Sequence, residues 1–319
     1  MKIVVLDRPL EKPGELDWGA LNALGEVTIY DRTAPEEVIS RIGDAEIVML
    51  NKAVITEETF EACPNIRFIS VIATGYNTVD VNAAAKRGIP VANVPSYGTE
   101  AIAQHAIALL LEITDHVAHH DAEVRKLRRS GELDWCFWDY PTIELAHKTM
   151  GIVGLGRIGH TTAYTAKALG MNVIAYDLYP DPALTGIVEY VDMDTLYTQS
   201  DVICLHCPLF PETFHMINRD SIAKMKNGVI LINNSRGALV DEAALCEALH
   251  SGKIYAAGLD AIEHEPIAAD NPLLAVPNVF MTPHISWAAL ECRRRLKDIA
   301  INNVVKYLQD SPENIVNLY

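Results

Sequence analysis

At 319 residues the chain is long enough for about two domains and can bury roughly 75% of its unfolded surface, so it needs no disulfide or metal staples. Its net charge of −16 disfavours nucleic acid and anionic membranes as partners, and no apolar run approaches the roughly 20 residues that span a bilayer. The opening MKIVVLDRPLEKPG has too short an apolar stretch for a signal peptide, so the six cysteines read as reduced thiols of a cytoplasmic protein.

Residues 1 to 98 alternate short apolar runs with helical segments. IVVL (Ile3 to Leu6), VTIY (Val27 to Tyr30), IVML (Ile47 to Leu50) and FISVIA (Phe68 to Ala73) predict buried parallel strands. APEEVISRIG and TEETFEAC predict helices with acid-rich first turns, which suits the helix dipole. The loop ATGYNTVD, Ala73 to Asp80, follows a predicted strand end, where open α/β sheets bind ligands. It is a candidate for offering backbone N–H groups to a substrate carboxylate, and spacing alone does not separate this from an ordinary turn.

Thr99 to about Leu127 predicts one long, strongly apolar helix between domains, its broad apolar face belonging to a core or a subunit interface. His116, His119 and His120 fall late in it. HxxHH lacks the Glu of a zinc-protease motif, so a solvated helix end is expected rather than a metal site. Gly131 to Pro141, GELDWCFWDYP, packs Trp135, Phe137, Trp138 and Tyr140 into one loop, the composition of a core plug or an interface anchor.

Met150 to Asp177 reads as strand, glycine turn, helix and second strand closed by an acid. Gly154, Gly156 and Gly159 stand in GxGxxG spacing directly after an apolar run, which is the context a dinucleotide fingerprint requires. The first glycine permits the turn, the second lets backbone approach a pyrophosphate, and the third allows close helix–strand packing. The phosphates would sit at a helix N-terminus. Asp177 can accept hydrogen bonds from ribose hydroxyls and would repel a 2′-phosphate, so the expected cofactor is NAD rather than NADP.

The alternation continues with DVICLHCP, GVILINNSRG, YAAGLD and NVFMTPH, which completes a doubly wound parallel sheet of Rossmann type. Cys204 and Cys207 form a CxxC, but no second ligand pair stands at zinc spacing, so the end of a buried strand is the better reading. Trp287 to about Gln309 is an amphipathic helix expected to pack back on the first domain. The expected domains are therefore 1–98 with 287–319, and 99–286.

Arg236, Glu265 and His284 follow three successive predicted strand ends of the second domain. Reducing a 2-oxo acid needs a proton donor beside the carbonyl, a cation for the carboxylate, and a group that tunes the donor. His transfers protons near neutrality. A carboxylate on its second nitrogen stabilises the imidazolium, and Arg offers a planar fork that never loses its charge.

GLGRIG with Asp177, NNSRG at Asn233 to Gly237, LDAIEHEP at Leu259 to Pro266, and TPH at Thr282 to His284 together resemble the signature set of the D-isomer-specific 2-hydroxyacid dehydrogenases, over essentially the whole chain. The resemblance implies a two-domain α/β fold, with a flavodoxin-like substrate domain beside the Rossmann domain. It implies Arg236 as substrate-binding and carbonyl-polarising residue, His284 as acid/base and Glu265 as its partner. Asp260 would hold the nicotinamide carboxamide. Further cofactor contacts would come from Thr74, Arg157, Ile158, Cys207, Pro208, Asn234 and Ser235, and substrate contacts from Thr74, Gly75, Tyr76 and Trp138. ATGYN, CFWDYP and HISWA resemble the glycerate dehydrogenase (hydroxypyruvate reductase) branch, and an end at Tyr319 leaves out the regulatory extension of longer phosphoglycerate dehydrogenases. A homodimer is expected, with Trp138 lining the partner's site. Asn234, Ser235 and Tyr76 depart from the family pattern and leave substrate preference open. The alternatives are a same-family enzyme for another 2-oxo acid and a NAD-sensing, corepressor-like binding protein.

Overall fold

The structure is a computed structural model that describes residues 1–8, 15–131, 135–184 and 186–318. Residues 132–134 of the aromatic loop lie outside the described residues. The chain forms two compact units, Met1–Gly98 with Ala288–Tyr319, and Thr99–Trp287.

In the first unit the elements run β1 (Lys2–Val5), β2 (Glu26–Ile29), α1 (Val38–Ile42), β3 (Ile47–Leu50), α2 (Glu57–Ala62), β4 (Phe68–Val71), α3 (Val81–Lys86) and β5 (Val91–Ala92). The strands pair in parallel in the order β2-β1-β3-β4-β5. The central strands β3 and β4 are buried along their whole length, because a parallel sheet is covered on both faces. β3 is accordingly apolar throughout, and β4 is broken only by Ser70. Asp80 caps α3 through the N–H of Ala83 at 2.9 Å. From the end of the chain, helix Leu290–Leu308 lies on β4: Ser70 donates to the carbonyl of Ala300 at 3.0 Å, and Phe68 stacks on Tyr307 at 4.4 Å.

The second unit begins with α4 (Thr99–Asp115) and α5 (Val117–Ser130). It continues through β6 (Thr149–Val153), α6 (Arg157–Ala168), β7 (Asn172–Tyr176), β8 (Glu189–Tyr190), α7 (Met193–Gln199), β9 (Val202–Leu205), α8 (Arg219–Lys224), β10 (Val229–Asn233), α9 (Glu242–Ser251), β11 (Ile254–Leu259) and β12 (Val279–Met281). The sheet order is β12-β11-β10-β9-β6-β7-β8, all parallel, so the winding reverses between β6 and β9. Two apolar clusters cover its faces, one around Leu205, Leu231 and Leu245, the other around Ile152, Leu110 and Ile113. This is the doubly wound α/β architecture expected from the alternation.

The single helix expected from Thr99 to Leu127 is in fact two. His116 adopts a left-handed backbone conformation (φ 50°) and ends α4. Its ring, expected in solvent, is 7% exposed and stacks on Tyr140 at 4.6 Å, with Phe280 of β12 at 5.7 Å. Burial of this ring against the aromatic loop and the sheet edge competes with helix continuation and prevails. The broad apolar face belongs to α4 alone, since no described residue of α5 is buried.

Candidate active site

The turn from β6 to α6 explains its three glycines separately. Gly154 has φ +91°, and a Cβ there would lie 2.6 Å from the backbone nitrogen of Cys207 at the end of the adjacent strand. A Cβ on Gly159 would meet the carbonyl of Gly154 at 2.3 Å. Gly156 differs from both, because a Cβ there meets nothing within 4 Å. No side chain caps α6, and the N–H groups of Arg157 and Ile158 have no acceptor among the described residues. The turn therefore combines open space with unsatisfied donors at the positive end of a helix, which fits a pyrophosphate. Asp177 is fixed beside it, accepting from the backbone N–H of Leu155 at 2.6 Å and of Tyr179 at 2.8 Å.

Cys204 and Cys207 are buried and unbridged, and burial pushes their thiols up to about 12 and about 11. All six cysteines are free, and no cluster of three or more metal-ligating side chains occurs among the described residues.

After β10 the chain turns through Asn233–Ser235 to Arg236. Asn233 donates to the carbonyl of Arg236 at 2.9 Å and accepts from Ser235 N at 3.1 Å, while the Ser235 hydroxyl donates to the carbonyl of Cys207 at 3.1 Å. The turn is thus tied to the end of β9. Arg236 is exposed, and its guanidinium makes no ion pair among the described residues. Gly237 follows because a Cβ there would lie 1.8 Å from the backbone of Ile262, so this turn runs directly against the loop that carries Glu265. Asn234 is 7% exposed, donates to the carbonyl of Ile102 at 2.8 Å and to Ser286 Oγ at 3.2 Å, and keeps a buried Oδ1 without a donor.

Glu265 and His284 come together. Both carboxylate oxygens approach His284 Nδ1, at 2.7 and 2.9 Å, and each side chain is about one-third exposed. The loop behind Glu265 is anchored by Glu242, which accepts from Glu263 N at 2.8 Å, and by His215, whose Nε2 is 3.2 Å from Glu263. His284 has φ +55°, and its carbonyl accepts from Trp287 Nε1 at 2.8 Å. Its Nε2 has no partner among the described residues. Asp260 sits beneath this loop with its side chain 1% exposed. It accepts from the Thr282 hydroxyl at 2.5 Å, Ile285 N at 2.8 Å and Ser286 N at 2.7 Å. His105, on α4, reaches Thr282 Oγ1 at 3.0 Å. The sequence reading did not single out His105, Thr282 or Ser286. The only signal available was that two hydroxyl residues flank His284 two positions away on either side.

In the first unit the loop after β4 is anchored at its start. Thr74 donates to the carbonyl of Val94 and accepts through its own carbonyl from Asn93, both at 2.8 Å. The backbone N–H groups of Gly75 and Tyr76 then find no acceptor among the described residues. In the second unit Trp138 is 68% exposed, on a loop held by the His119–Asp139 contact at 2.7 Å.

Residues 107–286 match the family model described as D-isomer specific 2-hydroxyacid dehydrogenase, NAD binding domain. The chain belongs to the D-isomer specific 2-hydroxyacid dehydrogenases and is an NAD-dependent oxidoreductase. Within that family it is 59% identical, over 99% of its length and all of the relative's, to a hydroxypyruvate reductase of Blautia hydrogenotrophica. It is 38% identical to a glycerate dehydrogenase of Methylorubrum extorquens, over 99% of this chain and 98% of the other. A crystal structure of a Thermus thermophilus protein superposes with a TM-score of 0.88 at 33% identity, covering 99% of this chain and all of that one. No helix among the described residues is long and apolar enough to cross a membrane.

Proposed function

We propose that this enzyme interconverts hydroxypyruvate and D-glycerate with NAD(H) and also accepts glyoxylate. The observation that carries the substrate is the 59% identity, end to end, with a hydroxypyruvate reductase. When bound, the nicotinamide cofactor would supply hydride to substrate C2 as NADH and accept it as NAD⁺. His284 holds the proton at Nε2, giving it to the carbonyl oxygen in reduction and taking it from the hydroxyl in oxidation. Glu265, bonded to Nδ1 at 2.7 Å, orients the ring so that Nε2 is the exchanging atom. Arg236, exposed and without an ion pair among the described residues, binds the substrate carboxylate and polarises the carbonyl. The unsatisfied N–H groups of Gly75 and Tyr76, after Thr74, also suit a carboxylate.

For the cofactor, Gly154, Gly156, Arg157, Ile158 and Gly159 would hold the pyrophosphate and Asp177 the adenosine ribose. Cys207 and Pro208 would line the adjoining strand end, and Asn234 and Ser235 the nicotinamide side. Asp260 would act there too, through the loop it orders as much as by direct contact. We further assign a homodimer, supported by the exposed Trp138 loop, with Trp138 contributing to the partner's substrate pocket. A cytoplasmic location accords with six unbridged cysteines.

An NADH-oxidation screen across hydroxypyruvate, glyoxylate, pyruvate, phenylpyruvate and 2-oxobutyrate tests the substrate. The highest kcat/KM is expected for hydroxypyruvate, and a preference for pyruvate or phenylpyruvate would overturn the assignment. Sedimentation of the active protein as a monomer would remove the dimer.

A further inference from the structure

We propose that Thr282 and Ser286 are positioning residues for His284, held by a partly buried hydrogen-bond network through Asp260, His105 and Asn234. The inference rests on the reading of His284 as the proton carrier.

The backbone of His284 is left-handed (φ +55°), a conformation that a residue with a Cβ adopts only when its surroundings impose it. Asp260 provides that constraint from both sides. One carboxylate takes the hydroxyl of Thr282, two residues before His284, and the backbone N–H groups of Ile285 and Ser286, the two residues after it. Polar atoms this buried are costly without partners, so all three bonds are expected to persist.

The network also has a direction. Thr282 spends its proton on Asp260, so Thr282 Oγ1 must accept from His105, which fixes the His105 proton on Nε2. On the other flank Asn234 donates both to Ser286 Oγ and to the carbonyl of Ile102 on α4. Asn234 lies two residues before Arg236 on the same turn. One side-chain amide therefore sets the His284 loop in register with the Arg236 turn. Glu265 meets the imidazole and, at 3.4 Å, the backbone N–H of Ile262, and takes no part in this. The ring is oriented by Glu265 and the backbone beneath it by Asp260, so the two determinants are separable.

The test compares Thr282→Val, which keeps the shape and removes the hydroxyl, with Thr282→Ser, which restores it. Ser286→Ala and His284→Gln are included. The readouts are kcat and KM for hydroxypyruvate, NADH affinity by fluorescence titration, and an NMR titration of the His284 ring without cofactor. Thr282→Val is expected to lower kcat about 10- to 100-fold, the range typical of partners that orient a reacting ligand, with NADH affinity changed less than about twofold. The His284 NMR titration should move, and Thr282→Ser should recover most of kcat. A folded Thr282→Val with unchanged kcat and unchanged His284 titration would overturn the proposal. So would a loss of NADH affinity that matches the loss of kcat. If Thr282→Val does not fold, Ser286→Ala decides on the same readouts, with a smaller loss expected. Full turnover by His284→Gln would instead remove the parent reading, while the NMR titration would still report on the loop.

Discussion

Glu265 and His284, 19 residues apart in sequence, meet at 2.7 Å through Oε2 and Nδ1, which leaves Nε2 of the imidazole as the nitrogen without a partner among the described residues. This division of labour between the two ring nitrogens fixes what each substitution should do. His284→Gln should cost about 10²- to 10⁴-fold in kcat, the range for a lost general acid, with NADH affinity nearly intact. Glu265→Gln keeps the shape and one acceptor oxygen and should cost less, about 10- to 100-fold. Combined, the two should cost little more than His284→Gln alone, because groups that act as a unit are not additive. Steady-state kinetics on the two single variants and the double variant checks all three statements.

Among the described residues the Arg236 guanidinium makes one hydrogen bond, to the carbonyl of Ser235 at 2.8 Å. Its removal therefore leaves no buried partner charge behind, and Arg236→Gln should fold normally. With Arg236 in its proposed place at the carbonyl, losing this charged donor should lower kcat/KM for hydroxypyruvate about 10²- to 10³-fold. Fluorescence titration should find NADH binding unchanged, and a parallel loss of NADH affinity would place Arg236 on the cofactor instead.

Asp177 accepts two backbone N–H groups, which aim its carboxylate toward the glycine turn. Hydrogen bonds to a charged group contribute about 1.5–3 kcal/mol, so Asp177→Ser should weaken NADH binding about 10- to 100-fold. NADPH binding should improve as the repulsion disappears. Unchanged relative kcat/KM for the two cofactors would show that this acid does not meet the ribose.

His206 supplies a pH-dependent stability. Burial lowers its imidazole from 6.5 to about 4, where Nε2 lies 2.9 Å from Thr162 Oγ1 and 3.3 Å from Cys204 Sγ. Between those two pH values the unfolded chain binds a proton that the native chain does not. Stability is therefore complete above pH 6.5 and declines as pH falls toward 4, by at most about 3 kcal/mol from this group. Urea midpoints measured at about pH 7.5 and about pH 5, on either side of the unfolded-state value, should differ less in His206→Gln than in the parent protein.

Period and composition carried the doubly wound sheet, because parallel strands covered on both faces need an unbroken apolar run, and β6, β7, β9, β10 and β11 each hold one. The pattern missed β5 and β8, each two residues long, since so short a strand has no period. It also ran α4 and α5 together, because nothing local in EITDHVAHH announces that one imidazole will be buried under Tyr140. The fingerprint was legible since its chemistry is local. Asp260 was legible only as a residue in a motif, and its hold on the His284 loop was not, because a carboxylate and the hydroxyl and peptide groups it gathers 22 to 26 residues away share no sequence signal.

The three glycines of the β6–α6 turn would age differently in a lineage that gave up nucleotides. Gly154 and Gly159 are locked by the chain's own backbone and would persist for the sake of folding, whatever the turn bound. Gly156 borders only open space, so the protein itself tolerates a methyl there. In a descendant of this architecture, alanine at that middle position beside two retained glycines would mark the loss of the dinucleotide, while the outer pair would report only ancestry.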